Sequence, residues 1–217
     1  MLRLLAALLL LSAALAPPAG AEEWWAWTML EFVHTPERQA GLFFANRLDA
    51  EDGAYVQLVS PRVRQELYPW LDGALGLSLL SIEGLLREER FWQLRPEVEL
   101  IPKFDLTPEL RIDFRNRMEW RWNEGEGFDV HRSRHRIQLG WRPPRPVGPL
   151  ARVFASQEWL SDLGRLQWWE SRTIPLGLTF RTSPRSELDV FYMIFSTRLA
   201  GEWIDEPVLG TFLRVRF

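Results

Sequence analysis

From Glu109 to Trp122 the chain reads ELRIDFRNRMEWRW, and it divides by parity. Leu110, Ile112, Phe114, Met118, Trp120 and Trp122 share one face, interrupted only by Asn116. Arg111, Asp113, Arg115, Arg117, Glu119 and Arg121 share the other, and all are charged. Alternation at period two marks a strand, because successive side chains point to opposite faces. The split recurs. Gln93, Arg95, Glu97, Glu99 and Lys103 oppose Trp92, Leu94, Val98, Leu100 and Phe104. Arg132, Arg134, Arg136, Gln138 and Arg142 oppose Ile137, Leu139 and Trp141, and Arg62, Arg64 and Glu66 oppose Val59, Val63 and Leu67. Eleven segments of this kind predict strands near 24–34, 39–48, 54–69, 74–83, 91–104, 109–122, 130–142, 149–159, 166–181, 186–198 and 207–217. No segment carries a helical period, and Glu83 to Arg90 reads as a loop.

The connections alternate in character. Thr35 to Arg38, Leu106 to Pro108, Pro143 to Pro149 and Ser183 to Arg185 are short and proline-bearing; Asp49 to Gly53, Glu83 to Arg90, Asn123 to Asp129 and Gly201 to Pro207 are polar or acidic. Strands that are apolar on one side and ionic on the other need two solvents. Lipid outside and a wet or ion-paired lumen inside supply both, which predicts an all-β, antiparallel up-and-down transmembrane β-barrel of about 10–12 strands. Single-chain bacterial barrels usually have an even count, so eleven segments imply one too many or one missed. A secreted β-sandwich binding module is the alternative, with the apolar faces buried against a second sheet.

The ends of the chain bear on this choice. A basic start (Met1-Leu2-Arg3), an apolar run from Leu4 to Ala16 and Ala19-Gly20-Ala21 predict a signal peptide over 1–21, cleaved after Ala21. Residues 22–217 are then one exported barrel domain in the bacterial outer membrane, with outer-membrane lipid as a partner. At the other end Leu209, Thr211, Leu213, Val215 and Phe217 share a face, a pattern that resembles the C-terminal assembly signal, ending in Phe217, read by the bacterial barrel-assembly machinery.

Composition narrows the function classes. The 217 residues are 47% hydrophobic, but the mean hydropathy of −0.17 argues against a helical membrane protein. Twelve Trp and thirteen Phe suit aromatic girdles, to which Trp24, Trp25, Trp27, Trp168 and Trp169 are assigned. A net charge of −3 gives no sign of a nucleic-acid partner. With no cysteine there are no disulfides, thiolate metal sites or lipid-anchored cysteine, and three histidines without ligand spacing predict no metal and no cofactor.

The charged faces suggest a ladder. A three-residue loop at Leu106 to Pro108 sets Glu99 opposite Arg115, Glu97 opposite Arg117 and Arg95 opposite Glu119. On the next hairpin, parity allows Arg134 opposite Glu119, Arg132 opposite Arg121 and Arg136 opposite Arg117. Such a ladder either fills a narrow lumen with ion pairs or, through its excess arginine, lines a passage that selects anions. A non-enzymatic barrel, structural or a narrow pore, is the leading expectation. An enzymatic alternative rests on His131, Ser133 and His135 on the apolar face. His and Ser two apart on a lipid-facing strand is the arrangement of outer-membrane phospholipase A, with Asn116 and Asn123 as amides able to orient an imidazole. The simpler account is that polar residues sit where the strand leaves the bilayer.

Taken together, RPEVEL (95–100), ELRIDFRNRMEWRW (109–122), HRSRHRIQLGW (131–141), FASQEW (154–159), a strand bearing Tyr192 and a last strand ending in Phe217 give a chain that resembles the bacterial family called domain of unknown function 2490. The resemblance implies an outer-membrane β-barrel without an assigned activity, and offers no catalytic residue to carry over.

Overall fold

A computed structural model describes residues 23–49, 53–83, 90–125, 127–164 and 167–217. The expected leader and its cleavage site lie outside the described residues, as do 50–52, 84–89, 126 and 165–166 of the loops. Eleven strands follow one another: β1 (Glu23–His34), β2 (Arg38–Asp49), β3 (Gly53–Tyr68), β4 (Leu71–Glu83), β5 (Arg90–Asp105), β6 (Leu110–Asn123), β7 (Gly127–Trp141), β8 (Leu150–Asp162), β9 (Gln167–Ser183), β10 (Ser186–Leu199) and β11 (Glu202–Arg216). Each pairs with its sequence neighbour, and β1 pairs with β11, so the sheet closes into a barrel. Closure overturns the sandwich alternative, because one sheet curls on itself instead of packing against a second.

The count of eleven falls within the expected range, but the expectation of an even number fails. β1 and β11 run parallel, from Glu23 opposite Val208 to Glu31 opposite Arg216, and a parallel seam is what lets an odd number of strands close. The termini of the barrel therefore lie at opposite ends. Phe217 lies at the end formed by the short turns, stacked on Phe32 with centroids 5.5 Å apart. Glu23 lies at the end formed by the other connections, called here the loop end. The acidic stretch 201–207, expected as a loop, is mostly strand. Ala200 and Gly201, with φ of 51° and 94°, turn the chain in two residues, and β11 starts directly after them. Positive φ at both central positions is what a tight hairpin of right-twisted strands requires.

The two faces obey the alternation, inverted relative to a soluble protein. Leu75, Leu77, Leu79, Leu94, Val98 and Leu100 point outward and are exposed, while the intervening charged residues line the interior. Outward aromatics form two belts: Phe32, Tyr68, Trp70, Phe104, Trp141 and Phe217 at the turn end, and Trp92, Trp122, Phe128, Trp168 and Trp203 at the loop end. Three tryptophans assigned to a girdle face inward instead. Trp25 is fully buried against Phe195 at 5.2 Å, Trp27 packs on Phe191 at 5.3 Å, and Trp169 lies under the Arg132 guanidinium at 4.9 Å. Adjacent strand residues point to opposite faces, so a Trp-Trp pair cannot belong wholly to a girdle.

Part of the interior is an apolar core of Trp25, Phe154, Ile174, Phe191, Met193, Phe195 and Val208, with Trp27 and Phe212 beside it. One hydrogen-bonded row across it runs Gly140, Phe154, Gly177, Phe191, Gly210, Trp25. Two of the rings lie across a glycine: a Cβ on Gly177 would stand 2.2 Å from the Phe154 ring, and one on Gly210 2.1 Å from Phe191. Alternating large and absent side chains lets each wide ring lie over the backbone of the next strand instead of clashing with a side chain there.

Candidate functional site: a buried arginine–glutamate network in the lumen

The inward faces of β5, β6 and β7 meet those of β8 and β9 in one ionic network. Its centre is Glu119, which is wholly buried. Five guanidiniums lie around its carboxylate: Arg134 at 3.0 Å, Arg117 at 3.5 Å, Arg95 at 3.6 Å, and Arg121 and Arg132 at 3.8 Å. Most are shared. Arg117 also meets Glu97 at 3.0 Å and pairs with Glu99, Arg134 meets Glu158 at 2.8 Å, and Arg132 meets Glu170 at 2.9 Å. Arg62 from β3 reaches Glu97 at 2.9 Å. Arg115 pairs with Glu158 and Arg172 with Glu170. The connected set thus holds eight guanidiniums (62, 95, 115, 117, 121, 132, 134, 172) and five carboxylates (97, 99, 119, 158, 170). Each carboxylate is shared because desolvating an ion costs several kcal/mol unless close partners compensate it.

The expected partners meet, but not in the expected register. Glu99 stands opposite Arg117, and Glu97 opposite Glu119, two residues from the expected pairing with Arg115 and Arg117. The cause is the turn. Thr107 Oγ1 accepts the amides of Glu109 and Leu110, and Leu110 N also donates to Thr107 O, so the ladder begins beyond Leu110 with Asp105 opposite Arg111. On the next hairpin Arg132, rather than Arg134, stands opposite Glu119, Arg134 opposite Arg117 and Arg136 opposite Arg115; a bulge at Arg121/Trp122 shifts the pairing near the loop end. A two-residue slip keeps every side chain on its face. Long side chains also reach diagonal partners. So Glu97 still meets Arg117, and Arg95 still meets Glu119, both diagonally.

Arg111 and Asp113 do not join the centre. They pair with each other at 2.9 Å nearer the turn end. There a second group is closer to neutrality: Lys103 meets Glu66 and Asp72 at 2.7 Å, Arg64 pairs with Asp72, Arg214 with Asp189, and Arg216 meets Glu187 at 3.2 Å and Glu31 at 3.3 Å. Sequence reasoning missed Glu158, Glu170, Arg172 and Arg62 as members of the centre. Their alternation is present in FASQEW, WESRT and PRVR, but three register shifts between β8 and β9 obscure which strand positions face one another.

Between the ionic and aromatic walls runs a cavity of about 1580 Å³. Its lining extends from Glu23, Glu83 and Glu206 at the loop end to Glu31, Arg64 and Arg216 at the turn end. Five arginines tie the two walls together by lying over rings: Arg47 and Arg172 on Trp25 (3.9 and 4.8 Å), Arg62 on Phe43 (4.5 Å), Arg152 on Phe154 (5.0 Å) and Arg214 on Phe212 (4.5 Å). Such contacts stabilise a guanidinium without consuming its charge.

The outward polar residues are paired among themselves. His135 Nδ1 lies 2.9 Å from Asn116 Oδ1, and Ser133 Oγ lies 2.7 Å from Ser161 Oγ, where Ser133 is buried. His131 packs edge-on against Phe128 at 4.9 Å. Asn123 is not on this face: it accepts from Gln93 Nε2 at 2.6 Å within the lumen.

Residues 26–204, from β1 into the start of β11, match the family described as Protein of unknown function (DUF2490). The chain belongs to this family. A search of curated proteins found no match. DUF2490 membership carries no activity with it, so a functional reading has to come from the barrel itself.

Proposed function

We propose that the chain is a bacterial outer-membrane β-barrel that acts without catalysis as a narrow passage for small solutes, with a preference for anions. The observation that carries this reading is the pairing of an apolar outer wall, banded by aromatics at both ends, with an ionic lumen whose cavity is lined from one end to the other. Exposed leucines flanked by aromatic belts match the outside of a barrel in lipid, with tryptophan and tyrosine rings at the headgroup level. Export and handling by the barrel-assembly machinery belong to the same reading. Anion preference follows from eight guanidiniums sharing five carboxylates along the lumen.

A second reading, a structural barrel closed to solutes, draws on the Glu119 centre and the arginines that bridge to the aromatic wall. Planar-bilayer recording of refolded protein separates the two. Discrete steps whose reversal potential in a salt gradient favours chloride are expected. A heat-modifiable, fully folded barrel that carries no current would establish the closed reading. The lipid-hydrolase alternative has less support, since the Ser133 hydroxyl is engaged by Ser161 rather than by an imidazole.

A further inference from the structure

Arg136 lies among the lumenal arginines of β7 but, unlike Arg132 and Arg134 on the same strand, makes no carboxylate pair among the described residues. Among the described residues, no carboxylate lies within 4.0 Å of the Arg136 guanidinium, and its buried Nε makes no hydrogen bond. Its cross-strand neighbours make this costly. On one side Arg136 is directly opposite Arg115, a like charge. On the other it is directly opposite Glu158, but that carboxylate is already taken by Arg115 on Oε1, and by Arg134 at 2.8 Å and Arg172 at 3.8 Å on Oε2. Like charges opposite each other destabilise a sheet, and a partly buried cation without a counter-ion adds to the penalty.

Two neutral hydrogen-bonding groups adjoin this pair. Gln138 is the next inward residue on β7 after Arg136, and Ser156 of β8 stands directly opposite it. Arg115, Arg136, Gln138 and Ser156 all line the cavity. We propose that these four residues form a binding site for a small oxyanion, a phosphate- or carboxylate-bearing solute, held between Arg115 and Arg136. Guanidinium forks match the oxygen spacing of such groups and bind them through two hydrogen bonds at once. The anion supplies the negative charge that the row lacks, while Gln138 and Ser156 donate to its remaining oxygens. The site faces the barrel interior, so a solute in the lumen reaches it and the headgroup of a bilayer lipid does not. The inference rests on the reading of the lumen as solvent-accessible, and specifies what that lumen holds.

The test uses the refolded mature chain in detergent micelles, with inorganic phosphate as the probe. Urea unfolding is followed by tryptophan fluorescence in chloride and in phosphate at matched ionic strength and cation. Millimolar phosphate is expected to raise the wild-type midpoint in a saturable way. Arg136→Gln should unfold in chloride no earlier than wild type, because it removes a repulsion. It should raise the apparent phosphate Kd by roughly tenfold or more, as loss of a charge-assisted pair does. A residue with only a packing role would instead lower the midpoint in both salts equally. Should Arg136→Gln fail to give the heat-modifiable folded band, Arg136→Lys keeps the charge but not the fork, and is also expected to weaken the phosphate response. A wild-type midpoint indifferent to phosphate overturns the site, as does a variant that responds like wild type. Bilayer recording keeps this separate from the passage. Phosphate binding without current removes the passage and leaves the site; anion-selective current with an Arg136-independent phosphate response does the opposite.

Discussion

Replacing Glu119 by Gln tests the lumenal network most directly. The substitution keeps size and hydrogen-bonding capacity and removes one negative charge from a position with no solvent exposure. Among the described residues, Arg95 and Arg121 have no carboxylate partner but Glu119, at 3.6 and 3.8 Å, so both are left without one. Arg117, Arg132 and Arg134 keep second partners in Glu97, Glu170 and Glu158. Breaking a buried ion pair by removing one partner costs about 3–5 kcal/mol, because the other charge stays behind. With an unfolding slope of about 2 kcal/mol per M urea, the midpoint falls by roughly 1.5–2.5 M. Asp105→Asn is the matched control: its side chain is 70% exposed and 3.9 Å from Arg111. An exposed pair of that kind is worth at most about 1 kcal/mol. Tryptophan fluorescence in urea, with folded protein scored by heat-modifiable migration, measures both. If Glu119→Gln unfolds within about 1 kcal/mol of wild type, the carboxylate is solvated in the folded protein and the network is not the buried structure described above.

Three further substitutions probe other parts of the barrel. Leu77→Arg places a charge on the outward face midway along β4; folding into lipid vesicles should become about 2–4 kcal/mol less favourable, and an unchanged value would mean that this wall faces water. Gly210→Ala puts a methyl group 2.1 Å from the Phe191 ring and is expected to cost about 1–3 kcal/mol in urea unfolding, with no loss expected if the ring can swing aside. Ser133→Ala is expected to leave a lipid-ester assay as it found it, with no hydrolysis by either protein; wild-type turnover abolished by the substitution would restore the enzymatic reading.

Much of the barrel was legible because period two is a strong signal when one face is wholly ionic. ELRIDFRNRMEWRW fixes which side of β6 is which, and with its neighbours it identifies nine of the thirteen charged residues of the network around Glu119. Register was less legible. Charge matching along β5 and β6 is satisfied by two alignments that differ by two residues, since arginine reaches a diagonal partner as readily as a direct one. What decides between them is Thr107 holding the amides of Glu109 and Leu110, a local turn detail. The aromatic core was hidden for another reason. Trp25 reads as girdle by type, and Phe154 and Phe191 carry no signal of their own; only the glycines beside them, Gly177 and Gly210, mark the row as one where rings are laid inward across bare backbone. The partners contributed by β8 and β9 were obscured by bulges that shift the pairing three times.

The parallel seam has a consequence for the order in which the chain can assemble. Each antiparallel ladder can zip outward from a local connection. The seam cannot: its Glu31–Arg216 contact spans 185 residues. Closing so long a loop is paid for in chain entropy before any contact rewards it, which makes such steps slow. Until β11 arrives, the free edge of β1 exposes unpaired amides and carbonyls, a template for pairing with another chain. Once β11 is in place, rings on either side of the seam meet: Trp27 with Phe212 at 6.1 Å and Phe32 with Phe217 at 5.5 Å. The first and last strands of the barrel thus act as a clasp, and the time for which that clasp stays open sets the window in which the nascent protein is vulnerable to aggregation.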